Sequence, residues 1–151
     1  MELYTIYKPI EQDLQRLEQN LRAAIDSEAP VLSQLLDYVL GSGCKKVRSA
    51  ITLFAGKFYH YDLDLLLPVA AAIELLHAAT LVHDDVVDRS PKRRGKLTVS
   101  SLWGNTNAVL LGDYLFAKSA KLVATTENIK VMKLFSQAAM VISSGELMHN
   151  V

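Results

Sequence analysis

An all-α fold is predicted by three observations. Apolar residues recur at helical spacing along nearly the whole sequence, and no period-two alternation bounded by hairpin turns interrupts them. Half of the 151 residues are hydrophobic, enough for one domain with a substantial core. No repeat or low-complexity stretch breaks the pattern.

The elements follow in order. Ile10, Leu14, Leu17 and Leu21 share one face of a first helix, with Pro9 suited to its first turn. Pro30 opens a second, carrying Val31, Leu32, Leu35, Leu36, Tyr38, Val39 and Leu40 until Gly41-Ser42-Gly43 stops it. A third is expected over about 44–59. Asp62 or Asp64 caps a fourth that runs to about Asp88, with Pro68 assigned to a first turn whose N–H groups lack partners anyway. The segment 89–96 is expected to be a loop, ended through Pro91 and Gly95. Two more helices are expected over about 107–125 and 128–148. The last is still in progress at Val151, so the chain either ends on a helix or is the front part of something longer.

Composition narrows the classes of function. Sixteen basic and sixteen acidic residues cancel, which removes a global electrostatic argument for nucleic acid or an anionic membrane. A single cysteine, Cys44, excludes an internal disulfide and fits a reducing, cytoplasmic setting. The first ten residues have neither the basic nor the apolar region of a secretory signal. The apolar stretches read as broken short of a membrane span. A soluble protein is expected.

The most informative stretch is 83–95, His-Asp-Asp-Val-Val-Asp-Arg-Ser-Pro-Lys-Arg-Arg-Gly. Asp84 and Asp88 are one turn apart on a helix, so their carboxylates project from one face about 6 Å apart along the axis. Unrelieved, they repel. A hard divalent ion such as Mg²⁺ relieves them, because it takes oxygen ligands and is usually shared between a few carboxylates and a substrate phosphate. Arg89, Lys92, Arg93, Arg94 and Lys96 follow at once, and arginines grip phosphate oxygens bidentately. An acidic run followed by a basic loop is often only a solvated boundary. Here the preceding segment, 65–82, is almost wholly apolar, so the acids stand where a buried helix emerges. Carboxylates, metal and arginines around one anion point to diphosphate chemistry.

Lys45, Lys46 and Arg48 follow a glycine turn at a helix start, where cations oppose the helix dipole. An anion there would gain from free N–H groups as well as from the side chains. His77 stands two turns before Asp84 on nearly the same face, with Ile73 and Thr80 completing the stripe. His60 and His149 have no comparable context, and Asp113 has no assigned role.

Gly43-x-Lys45-Lys46-x-Arg48, Glu74-Leu-Leu-His77, His83-Asp84-Asp85-Val-Val-Asp88, Arg93-Arg94-Gly95-Lys96-x-Thr98-Val99, Gly104-Asn105 and Gly112-Asp113-Tyr114-Leu115-Phe116 resemble, in order and spacing, the trans-polyprenyl diphosphate synthases of the polyprenyl synthetase family. The resemblance covers most of the chain as the N-terminal half of one such domain. It implies a helical bundle of the isoprenoid synthase type, incomplete at the C-terminus. It also implies a Mg²⁺-dependent enzyme that joins isopentenyl diphosphate to an allylic diphosphate. The apolar faces of the 107–125 and 128–148 segments, which a missing half would normally cover, are expected to drive association into a homodimer or larger assembly. By the same resemblance, Asp84 and Asp88 ligate Mg²⁺ with Asp85 in support, and Arg93 holds the allylic diphosphate. Lys45, Arg48, His77 and Arg94 bind the isopentenyl diphosphate. The small Ala79 and Thr80, where bulky aromatics would stop growth early, imply a long polyprenyl product. Cys44, Lys46, Ser49, Leu97, Ser100 and His149 depart from the residues usual at their positions. The second aspartate-rich motif of the family has no counterpart after Asp113.

Three rival readings stand beside this one. A metal phosphohydrolase would use His77, His83 and Asp84 as ligands, and its nitrogen-rich site would favour a transition metal. A non-catalytic partner subunit or fragment would keep the fold without the whole site. A terpene cyclase would share the aspartates but need no second diphosphate site.

Overall fold

The computed structural model describes residues 3–26, 29–41 and 46–149. It is an all-α bundle. Helix α1 (Leu3–Tyr7) passes through a 3₁₀ turn containing Pro9 (Lys8–Ile10) into α2 (Glu11–Asp26). Ile10, Leu14 and Leu17 face inward as their spacing predicts. Helix α3 (Pro30–Leu40) has its proline at the first position, where the missing N–H is harmless. The glycine stop is seen in part, because Ser42 and Gly43 lie outside the described residues. Helix α4 (Val47–Lys57) is shorter than expected at both ends. Its N-cap, Lys46, has left-handed backbone angles (φ 48°, ψ 34°).

Helix α5 (Leu63–Val87) is the axis of the molecule. Asp62 caps it, its carboxylate accepting the Asp64 N–H at 3.0 Å. Pro68 lies in the second turn of α5, not the first, so it removes an interior backbone hydrogen bond. By length and composition α5 could cross a membrane, with a mean hydropathy of 2.0, which corrects the expectation that every apolar stretch falls short. Here it is the central helix. One core cluster joins its first half to α2 and α4 through Leu17, Leu53 and Ala70. The other joins its second half to α3, α6 (Val99–Trp103) and α7 (Asn105–Ala124) through Leu36, Ala79, Leu111 and Leu115.

The end of α5 has a specific cause. Arg89 adopts a left-handed φ of 51°, and the Ser90 and Arg89 N–H groups donate back to the Asp85 and Val86 carbonyls at 3.0 and 3.2 Å. This is the paired-bond stop in which glycine is usual, built here with arginine. The expected loop then forms a hairpin, β1 (Lys92–Arg93) antiparallel to β2 (Lys96–Leu97). Arg94 and Gly95 both have positive φ, 52° and 82°, as a two-residue mirror-image turn requires. Two residues per strand are too few to show alternation, which is why the periodicity missed it. Thr98 ties the hairpin's ends together through its hydroxyl on the Ser90 carbonyl at 2.9 Å, and it caps α6.

Helices α5 and α7 approach closely because Gly112 leaves room for the His83 ring; a β-carbon at 112 would clash with the Nε2 edge of that ring. Helix α8 (Ile129–His149) packs on α7 through Phe116 and Phe135, ring centroids 6.3 Å apart. Among its described residues only Ala139 is buried. Met140 and Leu147 are 72% and 70% exposed.

Candidate active site

The acidic end of α5 carries Asp84 and Asp88 one turn apart, the Asp88 N–H donating to the Asp84 carbonyl at 2.8 Å. Asp84 is half-buried and Asp88 exposed. Burial pushes the Asp84 carboxyl up, Glu146 of α8 adds to the rise, Arg93 opposes it, and Asp88 and Asp85 raise it further. The helix C-terminus contributes the same sign of potential. Excess negative charge in hard oxygen donors is the chemistry that Mg²⁺ relieves, so the residues present fit that ion. Among the described residues no three His, Cys, Asp or Glu side chains form a complete metal cage.

Asp85 points elsewhere. It is 6% exposed and accepts the Arg93 Nε–H at 2.8 Å, which anchors the hairpin to α5. The second anchor is the Tyr38 hydroxyl of α3, donating to the Leu97 carbonyl at 2.6 Å while its ring meets Trp103 edge-on at 5.1 Å. Between hairpin, α3 and α5 lies a cleft of about 170 Å³ with Leu81, Val82 and Val99 in its wall and Arg93, Arg94 and Lys96 at its rim.

The cations converge around His77, two turns before Asp84. Burial lowers its pKa, and Arg48 from α4 and Arg94 and Arg93 from the hairpin lower it further, while Glu74 opposes them. Two chain segments, α4 and the hairpin, thus bring cationic charge to one half-buried imidazole. Lys45 lies outside the described residues, as does Cys44. Lys46 turns away and pairs with Glu18 of α2, whose carboxyl it holds below the usual range. The expected free N–H groups at the start of α4 are partly taken, since the Ser49 N–H donates to Glu74 at 3.1 Å.

Two residues sit otherwise than a channel lining would. Ala79 is 2% exposed and sealed in the core. Thr80 is half-buried, its hydroxyl donating to the His77 carbonyl at 2.9 Å. His83 turns toward α7, its Nε2 at 3.1 Å from the Val109 carbonyl and 3.5 Å from Asp113. His77, His83 and Asp84 therefore do not gather as the phosphohydrolase reading requires. Sequence reasoning missed Glu146 and Tyr38 as participants, and it quoted Glu74 within a motif without giving it a role. Only Glu74 carried a signal, a charge inside an apolar helix.

Residues 29–150 match the family model described as Polyprenyl synthetase. The chain is 33% identical over 147 residues to an octaprenyl diphosphate synthase of Haemophilus influenzae, covering 97% of this chain and 45% of the relative. It is 36% identical to heptaprenyl diphosphate synthase component 2 of Geobacillus stearothermophilus, covering 97% of this chain and 46% of the relative. The fold superposes on a decaprenyl diphosphate synthase from Rhodobacter capsulatus with a TM-score of 0.90 at 36% identity, covering 97% of this chain and 45% of that one. The chain thus spans about half the length of the curated relatives it matches.

Proposed function

The chain belongs to the polyprenyl synthetase family, and on that premise we propose that residues 1–151 supply the first half of the active site of a prenyltransferase, as the N-terminal half of one domain. The reaction joins isopentenyl diphosphate to an allylic diphosphate. The allylic C–O bond breaks and its electron pair leaves on the diphosphate. The isopentenyl double bond then attacks the allylic cation, a C–C bond forms, and a proton is lost.

Each residue has a task in this scheme. Asp84 and Asp88 would hold Mg²⁺, which supplies charge neutralisation for the departing diphosphate. Arg93 binds the same diphosphate, and its stabilisation grows as charge develops on the leaving oxygens. Asp85 orients Arg93. Arg48, Arg94 and His77, with Lys45, bind the isopentenyl diphosphate two turns away along α5. The apolar flank of α5 excludes water that would otherwise capture the cation.

One observation carries the reading: Arg48 of α4 and the hairpin's Arg93 and Arg94 bring positive charge to His77, on the helix that also bears the aspartates. Calorimetry of each diphosphate with and without Mg²⁺ tests it. Both should bind, and only the allylic one should depend strictly on the metal. No binding of either would overturn the assignment.

A long polyprenyl product is supported by the octaprenyl, heptaprenyl and decaprenyl relatives. A cytoplasmic homodimer is supported by the single cysteine, Cys44, and by the apolar surface of α8. The alternative, a non-catalytic partner subunit, would bind the diphosphates without turnover in any assembly.

A further inference from the structure

Ser49 is wholly buried at the third position of α4, and both its N–H and its hydroxyl are directed at one oxygen of a carboxylate from another helix. The backbone N–H donates to Glu74 Oε1 at 3.1 Å; the hydroxyl lies 2.8 Å from the same oxygen and 3.3 Å from the Ala70 carbonyl. Among the described residues, helix α4 has no side-chain cap at its N-cap position. Lys46 stands at the N-cap position, makes no side-chain capping bond, and commits its ammonium to Glu18. Glu74 therefore supplies from α5 the anion that the exposed N–H groups and the helix dipole favour at this end.

We propose that Glu74 is a positioning residue for the diphosphate site, clamping the first turn of α4 onto α5 beside His77 and so fixing the helix start that carries Arg48. The proposal rests on the reading of that site given above. Its logic is adjacency at both ends of the clamp. Ser49 follows Arg48 directly, and Glu74 precedes His77 by three residues, almost one turn, on α5. The contact joining the helices thus lies beside both groups that would share one anion. Arg48 is exposed, so its own packing does little to aim it. A guanidinium on a frayed first turn would have to order on binding, and that ordering weakens affinity.

Glu74→Gln keeps a carbonyl oxygen where Oε1 now accepts both donors, whereas Glu74→Ala removes the acceptor. Isopentenyl diphosphate binding to the 151-residue chain is measured by calorimetry for wild type, Glu74→Gln, Glu74→Ala, Arg48→Ala and the Glu74→Ala/Arg48→Ala pair. Circular dichroism checks the fold. Glu74→Ala should weaken binding about tenfold, with Glu74→Gln within about threefold of wild type. Arg48→Ala should add little in the Glu74→Ala background, the non-additivity expected of two residues acting through one geometry. Fully additive losses, or unchanged affinity in Glu74→Ala, overturn the clamp while leaving the site reading intact. Absence of binding in wild type overturns the site reading and the clamp with it. If Glu74→Ala does not fold, Ser49→Ala, which loses the hydroxyl alone, takes its place in the cycle. It should weaken binding and reduce the effect of Arg48→Ala; no change in either overturns the clamp.

Discussion

Arg93 and Asp85 are joined Nε to Oδ1 at 2.8 Å, which ties the charged hairpin back to the helix it has just left. The bond uses one of five guanidinium donors, so it orients the arginine and leaves others to meet a phosphate. Asp85 thus differs in kind from its neighbours. It serves an arginine, while Asp84 and Asp88 face one another across a turn.

Replacement of the three aspartates should separate these roles. Asp84→Ala with Asp88→Ala should abolish the Mg²⁺ dependence of allylic diphosphate binding. Asp85→Asn should keep that dependence and lower affinity at every metal concentration, because Arg93 loses its charged partner. Calorimetry over a Mg²⁺ series reads both effects. Equal loss of metal dependence in Asp85→Asn would sink the division of labour.

His77 gives a pH signature. Its folded pKa lies below the ordinary 6.5, chiefly from burial and then from Arg48. A depressed pKa means that the unfolded chain binds the proton more readily. The imidazole's contribution to stability is therefore whole above about 6.5 and is lost as pH falls through the folded value. A bound diphosphate offsets the arginines and raises that value, so binding near pH 6 should take up a proton. Calorimetry in two buffers of different ionisation enthalpy should show uptake in wild type and less in His77→Gln. An equal proton exchange in wild type and His77→Gln would contradict the assignment.

Gly112 and Gly145 form a matched pair. Alanine at either gains up to ~1 kcal/mol of helix propensity. At 112 the new methyl meets the His83 ring, and overpacking of ~1–3 kcal/mol prevails. At 145 nothing lies within 4 Å. Thermal unfolding should therefore show Gly112→Ala destabilised and Gly145→Ala stabilised. A stabilised Gly112→Ala would mean that the α5–α7 approach is looser than described.

What the sequence made legible follows the reach of each signal. The long helices could be read because their apolar stripes repeat over several turns, and Asp84 and Asp88 because four residues is one turn. The hairpin is invisible to periodicity, although Arg94-Gly95 is compatible with its turn. Arg89 stops α5 in a left-handed conformation that glycine would have advertised. Glu146 could not be found at all, since nothing local to residue 146 says that Asp84 is near it. Ala79 was legible as small, but not as sealed, because only the packing of α7 decides which face of α5 is covered.

The last prediction concerns residues 1–151 as a chain in solution. Leu134, Met140, Val141, Leu147 and Met148 stand open along α8, which is held to the bundle mainly through α7. Contiguous apolar surface of this kind drives association. Sedimentation should show a dimer or larger assembly, shifted toward monomer by Met140→Lys with Leu147→Lys. Asp84 and Asp88 stand at the end of α5, Glu146 of α8 adds negative charge to Asp84, and a second carboxylate cluster is lacking after Asp113. An allylic cation formed there would stay open to water. Turnover by these residues alone should fall far below an ordinary ~1 s⁻¹, and addition of a segment matching the remaining half of the relatives should restore it. A monomer that condenses the two diphosphates at about that rate unaided would overturn both the exposed-face argument and the half-site reading.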